Sequence, residues 1–168
     1  IRHAEVVTAK LSFVITPAAS SLKSRGRAGE LRELFLSGTR YGAFVALPLV
    51  LYLGIMGDPL VRVWMGPRYD GGWVLPILAL GMLLPLIVRP AQHVLIGLNM
   101  HGRVGIASLI VAIVSTAAAY SMIGRMEMGL VGAALAISVP LSIGNGVFVC
   151  LYACRKLNIS LRHYFRSL

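Results

Sequence analysis

Charged residues are scarce in this sequence, and acidic residues are the scarcest of all. Only 13% of the 168 residues are Asp, Glu, Lys or Arg, against about 25% in a soluble domain. Hydrophobic residues make up 57% of the chain and the mean hydropathy is +0.79. These values exclude a soluble globular domain. The net charge of +10 would suggest a nucleic-acid partner in a soluble chain, but the basic residues flank apolar segments, so we expect no nucleic acid.

Several catalytic and metal-binding patterns are also absent. The sequence contains no GxxxxGK[ST], no Cys/His cluster with metal-ligand spacing and no paired carboxylates inside an apolar stretch. ATP hydrolysis, zinc chemistry and glycoside hydrolysis therefore lack the residues they need. Cys150 and Cys154 lie four residues apart, a helical spacing that argues against a disulfide, as does a reducing cytosol. We expect no enzyme activity, no metal and no cofactor.

Four long uncharged stretches dominate what is present. They run for 17, 18, 21 and 27 residues, beginning at Tyr41, Gly71, Val104 and Met128. A helix needs roughly 17 to 25 apolar residues to cross a bilayer, and the stretches lack the alternation typical of membrane strands. The sequence therefore predicts an all-α, polytopic transmembrane helical bundle. The four predicted transmembrane helices cover residues 41–57, 72–98, 104–124 and 128–154.

The distribution of basic residues predicts the topology, because Lys and Arg near short loops stay on the cytoplasmic side. Ten basic residues lie in the predicted loop 23–40, the loop 99–103 and the tail 155–168. The loop 58–70 and the turn at Arg125 carry three basic residues and no net charge. We therefore predict that the first three segments are cytoplasmic and that the last two are external.

The start of the sequence suggests that this chain is a fragment of a longer protein. There is no initiator Met and no signal-peptide pattern, and residues 1–22 enter an apolar stretch directly. We interpret residues 1–22 as the end of a truncated transmembrane helix. The missing N-terminal half of the same chain would then be an obligate partner, together with the surrounding membrane lipids.

Arg89 is the clearest candidate for a functional residue. It follows 18 uncharged residues and precedes about ten neutral ones, and an isolated Arg at such depth costs roughly 2.5–3.5 kcal/mol. Gln92 and His93 follow at i+3 and i+4 and share its helical face. These three residues are candidate ligands for a substrate. The alternative is an Arg that snorkels to the inner surface or stabilises a proline kink, since Asn99 lies only about 15 Å along the helix.

Lys10 is the second candidate. If residues 6–22 are helical, Lys10 lies about 19 Å from Lys23 along the axis and is deep in the membrane. The alternative is that Glu5, five residues earlier, belongs to a water-filled opening on the outer side of the membrane. Lys10 would then not line an internal cavity. Two deep cations without an acidic partner favour an anionic ligand such as a phosphate or pyrophosphate.

Six segments, in this order and spacing, resemble the C-terminal half of the polysaccharide and O-antigen flippases, within the multidrug/oligosaccharidyl-lipid/polysaccharide exporter superfamily. The segments are Thr16–Leu22, Ser37–Tyr41, Leu47–Leu49, Leu60–Tyr69, Val94–His101 and Gly129–Ala136. The resemblance implies a two-lobed transporter of which this chain forms part of the second lobe. It also implies alternating-access transport of an undecaprenyl-pyrophosphate-linked oligosaccharide across the bacterial cytoplasmic (inner) membrane, for polysaccharide or lipopolysaccharide biosynthesis.

Two other functions remain open. A small-molecule or multidrug extruder of the same superfamily usually needs an acidic residue in its cavity for cation coupling, and the four uncharged stretches contain none. The membrane part of a polysaccharide-assembly enzyme would need a large catalytic loop, and the predicted loop 23–40 is too short for one. The remainder of the protein would distinguish these classes.

Overall fold

In the computed structural model, the described residues, 14–66 and 72–167, form helices joined by short turns, with no strand among them. Most lie in long helices, and the last long helix changes from α to π geometry and back. The helices are α1 (residues 14–24), α2 (Ala28–Met65), α3 (Val74–Gly97), α4 (His101–Gly124), α5 (Gly129–Leu141), a π-helical segment (Ser142–Phe148), α6 (Val149–Lys156) and α7 (Leu161–Ser167).

Four helices in the described part of the chain are long and apolar enough to cross a membrane. They are α2, α3, α4 and the continuous helix Gly129–Lys156, formed by α5, the π segment and α6. Much of their apolar surface faces outward: Phe44, Val63 and Leu130 are each more than 70% exposed. Such surface suits lipid. The predicted fold class, an all-α polytopic transmembrane bundle, is confirmed.

The helix that contains the first predicted span is longer than the sequence suggested. Residues 23–40 were expected to form a loop, but α2 begins at Ala28 and the turn is confined to the residues around Gly26, whose φ is 68°. The basic residues mark where the chain leaves the bilayer, yet a helix can continue into water. Leu31, Phe35 and Thr39 recur every four residues and are buried, so this amphipathic extension is stabilised by packing.

Two further predicted boundaries also differ from the structure, because the chain is helical beyond the uncharged stretches. At its other end α2 continues past residue 57 to Met65, supported by the Asp58–Arg62 ion pair at 3.0 Å, which links positions i and i+4. The tail 155–168, predicted only as a cytoplasmic segment, contains the short helix α7. Charged residues again remain helical where a local or tertiary partner is available.

The hydrophobic core lies at one end of the bundle, where α1, α3 and α6 end and α2 begins. Its largest fully buried side chains include Tyr164, Phe35 and Leu95. The rings of Phe35 and Tyr164 have centroids 5.6 Å apart, so α7 closes this end of the core against α2. The core also includes Val88, Ala91, Val94, Val149, Ala153 and Cys154.

Helix α3 is the centre of the described bundle. It packs against α2 along its length and against α5, the π segment and α6 on its other side. Gly81 permits one close crossing, because a Cβ there would collide with Ser138 of α5. Helix α4 packs on α5 and the π segment and has no buried residue. Helix α3 also contacts α4, so it contacts each of the other three candidate spans.

Prolines interrupt three of these spans. Pro48 and Pro59 lie within α2, Pro85 and Pro90 within α3, and Pro140 within α5, two residues before the π segment. A proline removes a backbone donor and displaces the carbonyl four residues earlier. The π segment follows directly, and such segments are frequent at functional sites. Ser142 at its start donates to the Gly81 carbonyl at 2.7 Å, which ties the irregular region to α3.

Candidate functional site

Arg89 lies in the C-terminal half of α3, eight residues before its last residue Gly97, or about 12 Å along the helix axis. Its neighbours Val88 and Ala91 are 2% and 0% exposed, while Arg89 itself is half-buried. Arg89 therefore lies at the margin of the core. No described residue forms a hydrogen bond or an ion pair with it: the two ion pairs in the described residues are Arg27–Glu30 and Arg62–Asp58.

Gln92 and His93 lie on α3 beside Arg89, and both are half-buried. Helix α3 is continuous from Arg89 to His93, so the two residues lie about one turn apart. The structure thus brings Arg89 and His93 together, as their i, i+4 spacing suggested. Lys10, the fourth predicted ligand, lies outside the described residues. The role of all four in binding stays a prediction.

Close contact between α2 and α3 fixes the backbone around Arg89. A Cβ at Gly42 would lie 2.9 Å from the carbonyl oxygen of Ile87, and a Cβ at Gly38 would lie 3.0 Å from the Cβ of Pro90. These two glycines are one helical turn apart, so they form a smooth strip against which the Pro90 kink packs. Arg89 lies between the two α3 residues that make these contacts.

Helix α1 contacts the same end of α3. The Thr16 hydroxyl donates to the His93 carbonyl at 3.4 Å, and a Cβ at Gly97 would collide with the Thr16 backbone. Thr16 belongs to the Thr16–Leu22 segment on which the family resemblance rests. This segment therefore has a structural role next to His93.

Two basic side chains contact the ends of helices. Lys23 Nζ donates to the Leu98 carbonyl at 2.7 Å, and Arg32 Nε donates to the Leu157 carbonyl at 2.8 Å. Leu98 and Leu157 are the C-cap residues of α3 and α6. Cations there compensate the unpaired carbonyls and the negative end of the helix dipole. Two of the ten basic residues assigned to the cytoplasmic side therefore stabilise the fold directly.

Sequence reasoning missed these caps, although a local signal was present. Asn99 and Asn158 follow the two C-cap residues with φ of 59° and 50°, and the next residues, Met100 and Ile159, donate back to the carbonyls of Leu95 and Cys154. This is the Schellman arrangement, which favours Gly or Asn at the left-handed position. Asn after an apolar helix therefore signals where the helix ends. It does not signal which basic side chain will donate to the C-cap carbonyl.

Comparison with known proteins adds one relative. The chain is similar to a membrane protein of Bacillus subtilis. That protein is described as "Uncharacterized membrane protein EpsK", and the two are 26% identical over 149 residues, which cover 86% of this chain and 29% of that protein. This chain thus spans less than a third of the relative's length. No protein-family model and no solved structure matches. The similarity supports the assignment of a multi-pass membrane protein.

The two cysteines lie in the core rather than at the candidate site. Cys150 and Cys154 are free and buried on α6, in agreement with the prediction that they form no bridge. The Tyr164 hydroxyl of α7 lies against Cys150 and Thr39, and burial raises the pKa of Tyr164 above its usual range. A tyrosine phenol is neutral at physiological pH at its ordinary pKa, and burial here favours the neutral form further, as an apolar core requires.

Proposed function

We propose that this chain is part of a membrane transporter that flips an undecaprenyl-pyrophosphate-linked oligosaccharide across the bacterial cytoplasmic membrane by alternating access. The chain is not an enzyme in this proposal. The observation that carries it is Arg89, a half-buried arginine in a membrane-spanning helix with no acidic partner among the described residues. The order of segments resembling the flippases and the similarity to a bacterial membrane protein support the same proposal.

The physical argument starts from the cost of the charge. An Arg inside a spanning helix needs compensation from a counter-ion, a carbonyl or water. The five N–H donors of its planar fork match the oxygens of a phosphate in pairs, and Arg is less hydrated than Lys. A pyrophosphate brought to Arg89 would supply the missing negative charge. His93 and Gln92, on the same helix face, would add hydrogen bonds to the phosphate or to the first sugars.

The composition of the spans favours this proposal over a cation-coupled extruder. The stretches 41–57, 74–88, 104–124 and 129–154 contain no Asp or Glu, whereas the extruder resemblance implies a carboxylate in the cavity. The candidate site offers cations, an amide and an imidazole, which suit an anionic substrate.

The test replaces Arg89 in the full-length protein and measures export of surface polysaccharide per molecule of membrane-inserted transporter. Arg89→Ala should lose most of the export, on the order of tenfold or more, because a charged hydrogen bond contributes about 1.5–3 kcal/mol. Arg89→Lys keeps the charge without the fork and should retain part of it.

Arg125→Ala is the matched control, since Arg125 is exposed in the turn after α4 and should leave export unchanged. A structural Arg89 predicts a different pattern, in which Arg89→Ala lowers the amount of protein but not the export per molecule. Wild-type export per molecule in Arg89→Ala would end the proposal.

A further inference from the structure

An apolar groove runs between α4 and the helix formed by α5 and the π segment. Its volume is about 580 Å³. Among the described residues, Arg103, at the N-terminal end of α4, is the single charged residue that lines it. The apolar lining residues are Ile106, Ala107, Ile110, Val111 and Val114 of α4, and Val139, Pro140, Ile143, Gly144 and Phe148 on the opposite side.

The groove follows from the way the two helices meet. Its α4 residues recur at positions 103, 106, 107, 110, 111 and 114, which is one helix face. The helices touch where Val111 packs on Gly144, because a Cβ at Gly144 would collide with Val111. Beside this contact no described residue fills the gap, and Ile106 and Ile143 are 62% and 60% exposed.

Two cations lie at one end of this groove. The Arg103 guanidinium carbon is 5.9 Å from the centroid of the Tyr152 ring, and Lys156 Nζ is 6.0 Å from the same centroid. Tyr152 in turn stacks on Phe148, a groove residue, with centroids 6.0 Å apart. No carboxylate among the described residues pairs with either cation. The shared aromatic ring holds two like charges near each other, which creates a local positive potential suited to an anion.

The length of the groove indicates what it can hold. From Arg103 to Val114 it extends over eleven residues, or about 16 Å along α4. One leaflet contributes about half of the roughly 30 Å hydrocarbon core. The groove thus matches one leaflet in depth, with its cations at the leaflet surface. A phospholipid acyl chain has this length, whereas a polyprenyl chain is much longer.

We propose that the groove binds one anionic phospholipid of the leaflet at the Arg103 end, which is cytoplasmic by the distribution of charge. One acyl chain lies along the groove, and the phosphate lies beside Arg103 and Lys156. Juxtamembrane basic residues attract anionic lipid headgroups, and here they stand at the mouth of an apolar groove of matching depth. This site is distinct from Arg89 and does not depend on the transported substrate.

The test uses the full-length protein in phosphatidylcholine vesicles that contain a trace of phosphatidylglycerol with a photoactivatable acyl chain. After illumination, mass spectrometry should place the label on the groove faces, residues 103–114 and 139–148. The double variant Arg103→Gln, Lys156→Gln should reduce this labelling by at least about fivefold, the change expected for loss of basic residues at an anionic surface. Arg125→Gln should leave it unchanged.

A second pair of variants tests the groove itself. Ala107 is a half-buried groove residue, and Ala112 is an exposed residue of α4 outside the groove. Ala107→Phe should fill the groove and abolish labelling, while Ala112→Phe should not. Arg103 is exposed, so its replacement should not disturb folding. The charge variant therefore still tests the proposal if Ala107→Phe folds poorly.

Four outcomes would overturn the proposal. They are equal labelling by a photoactivatable phosphatidylcholine, equal loss in Ala107→Phe and Ala112→Phe, displacement of the label by stoichiometric polyprenyl phosphate, and cross-linking of a second protein segment into the groove in place of lipid. The last two would assign the groove to a carrier lipid or to another helix.

Discussion

At the scale of single residues, the basic side chains of this chain fall into groups with different surroundings. Lys23 and Arg32 donate to helix C-caps, Arg103 and Lys156 flank an aromatic ring, and Arg89 is half-buried with no described partner. All carry the same charge in the sequence, and only their neighbours distinguish them. A count of basic residues therefore does not separate those that stabilise helix ends from those that could bind a ligand.

The first residue-scale prediction concerns the caps. Lys23→Ala and Arg32→Ala should each lower the stability of the bundle by about 0.5–1 kcal/mol, because each removes a cation from the C-terminus of a helix. Thermal unfolding in detergent should show a fall of a few degrees in the apparent melting temperature. Arg25→Ala is the control, since Arg25 is exposed and its side chain makes no described hydrogen bond or ion pair. An equal fall in all three variants would indicate an effect of net charge alone.

At the scale of elements, the four spans were predictable, but the two ends of α2 were not. Uncharged runs are a local property, so α3, α4 and the helix Gly129–Lys156 lie within a few residues of the predictions. The extension of α2 into residues 28–40 depends on Phe35 packing against Tyr164, and the Arg32 cap joins residues 125 positions apart. The four-residue spacing of Leu31 and Phe35 marks a helical face in this segment, but the long-range partners of that face cannot be identified from the segment itself.

The candidate site around Arg89 was also predictable within one helix but not between helices. The shared face of Arg89, Gln92 and His93 follows from spacing within one helix. The smooth strip formed by Gly38 and Gly42 on α2, and the π segment after Pro140, arise from contacts between helices. A single sequence shows which side chains share one face of a helix. It does not show which surface of a neighbouring helix that face packs against.

The element-scale prediction tests that surface. Gly42→Ala should destabilise the α2–α3 contact by about 1–3 kcal/mol, as overpacking does, because the added Cβ would lie 2.9 Å from the Ile87 carbonyl oxygen. Limited proteolysis or thermal unfolding of the purified full-length protein measures the loss. Gly54→Ala is the matched control on the same helix, where a Cβ would meet no atom of the described residues within 4 Å. Comparable losses in both variants would mean that the contact around Arg89 is not tight.

At the scale of the whole molecule, both proposals depend on which end of the bundle faces the cytoplasm. The buried core, the two capping cations and the Arg103 end of the groove all lie at the end where α2 begins and α3 ends. The exposed aromatic residues Trp64 and Trp73, 88% and 75% exposed, lie at the opposite end, where indole rings suit the headgroup region. The charge count predicts that the first end is cytoplasmic.

Cysteine labelling in intact cells tests this orientation. Ala28 and Met126 are both exposed and lie at opposite ends of the bundle, and the natural cysteines are buried, so the unmodified protein gives the background. A membrane-impermeant thiol reagent should modify Met126→Cys and spare Ala28→Cys until the membrane is permeabilised, because Ala28 lies among the basic residues retained inside. The reverse pattern would place the basic end of the bundle outside. Arg103 and Lys156 would then face the outer leaflet, and a substrate phosphate entering from the cytoplasm would reach Arg89 only after crossing most of the membrane.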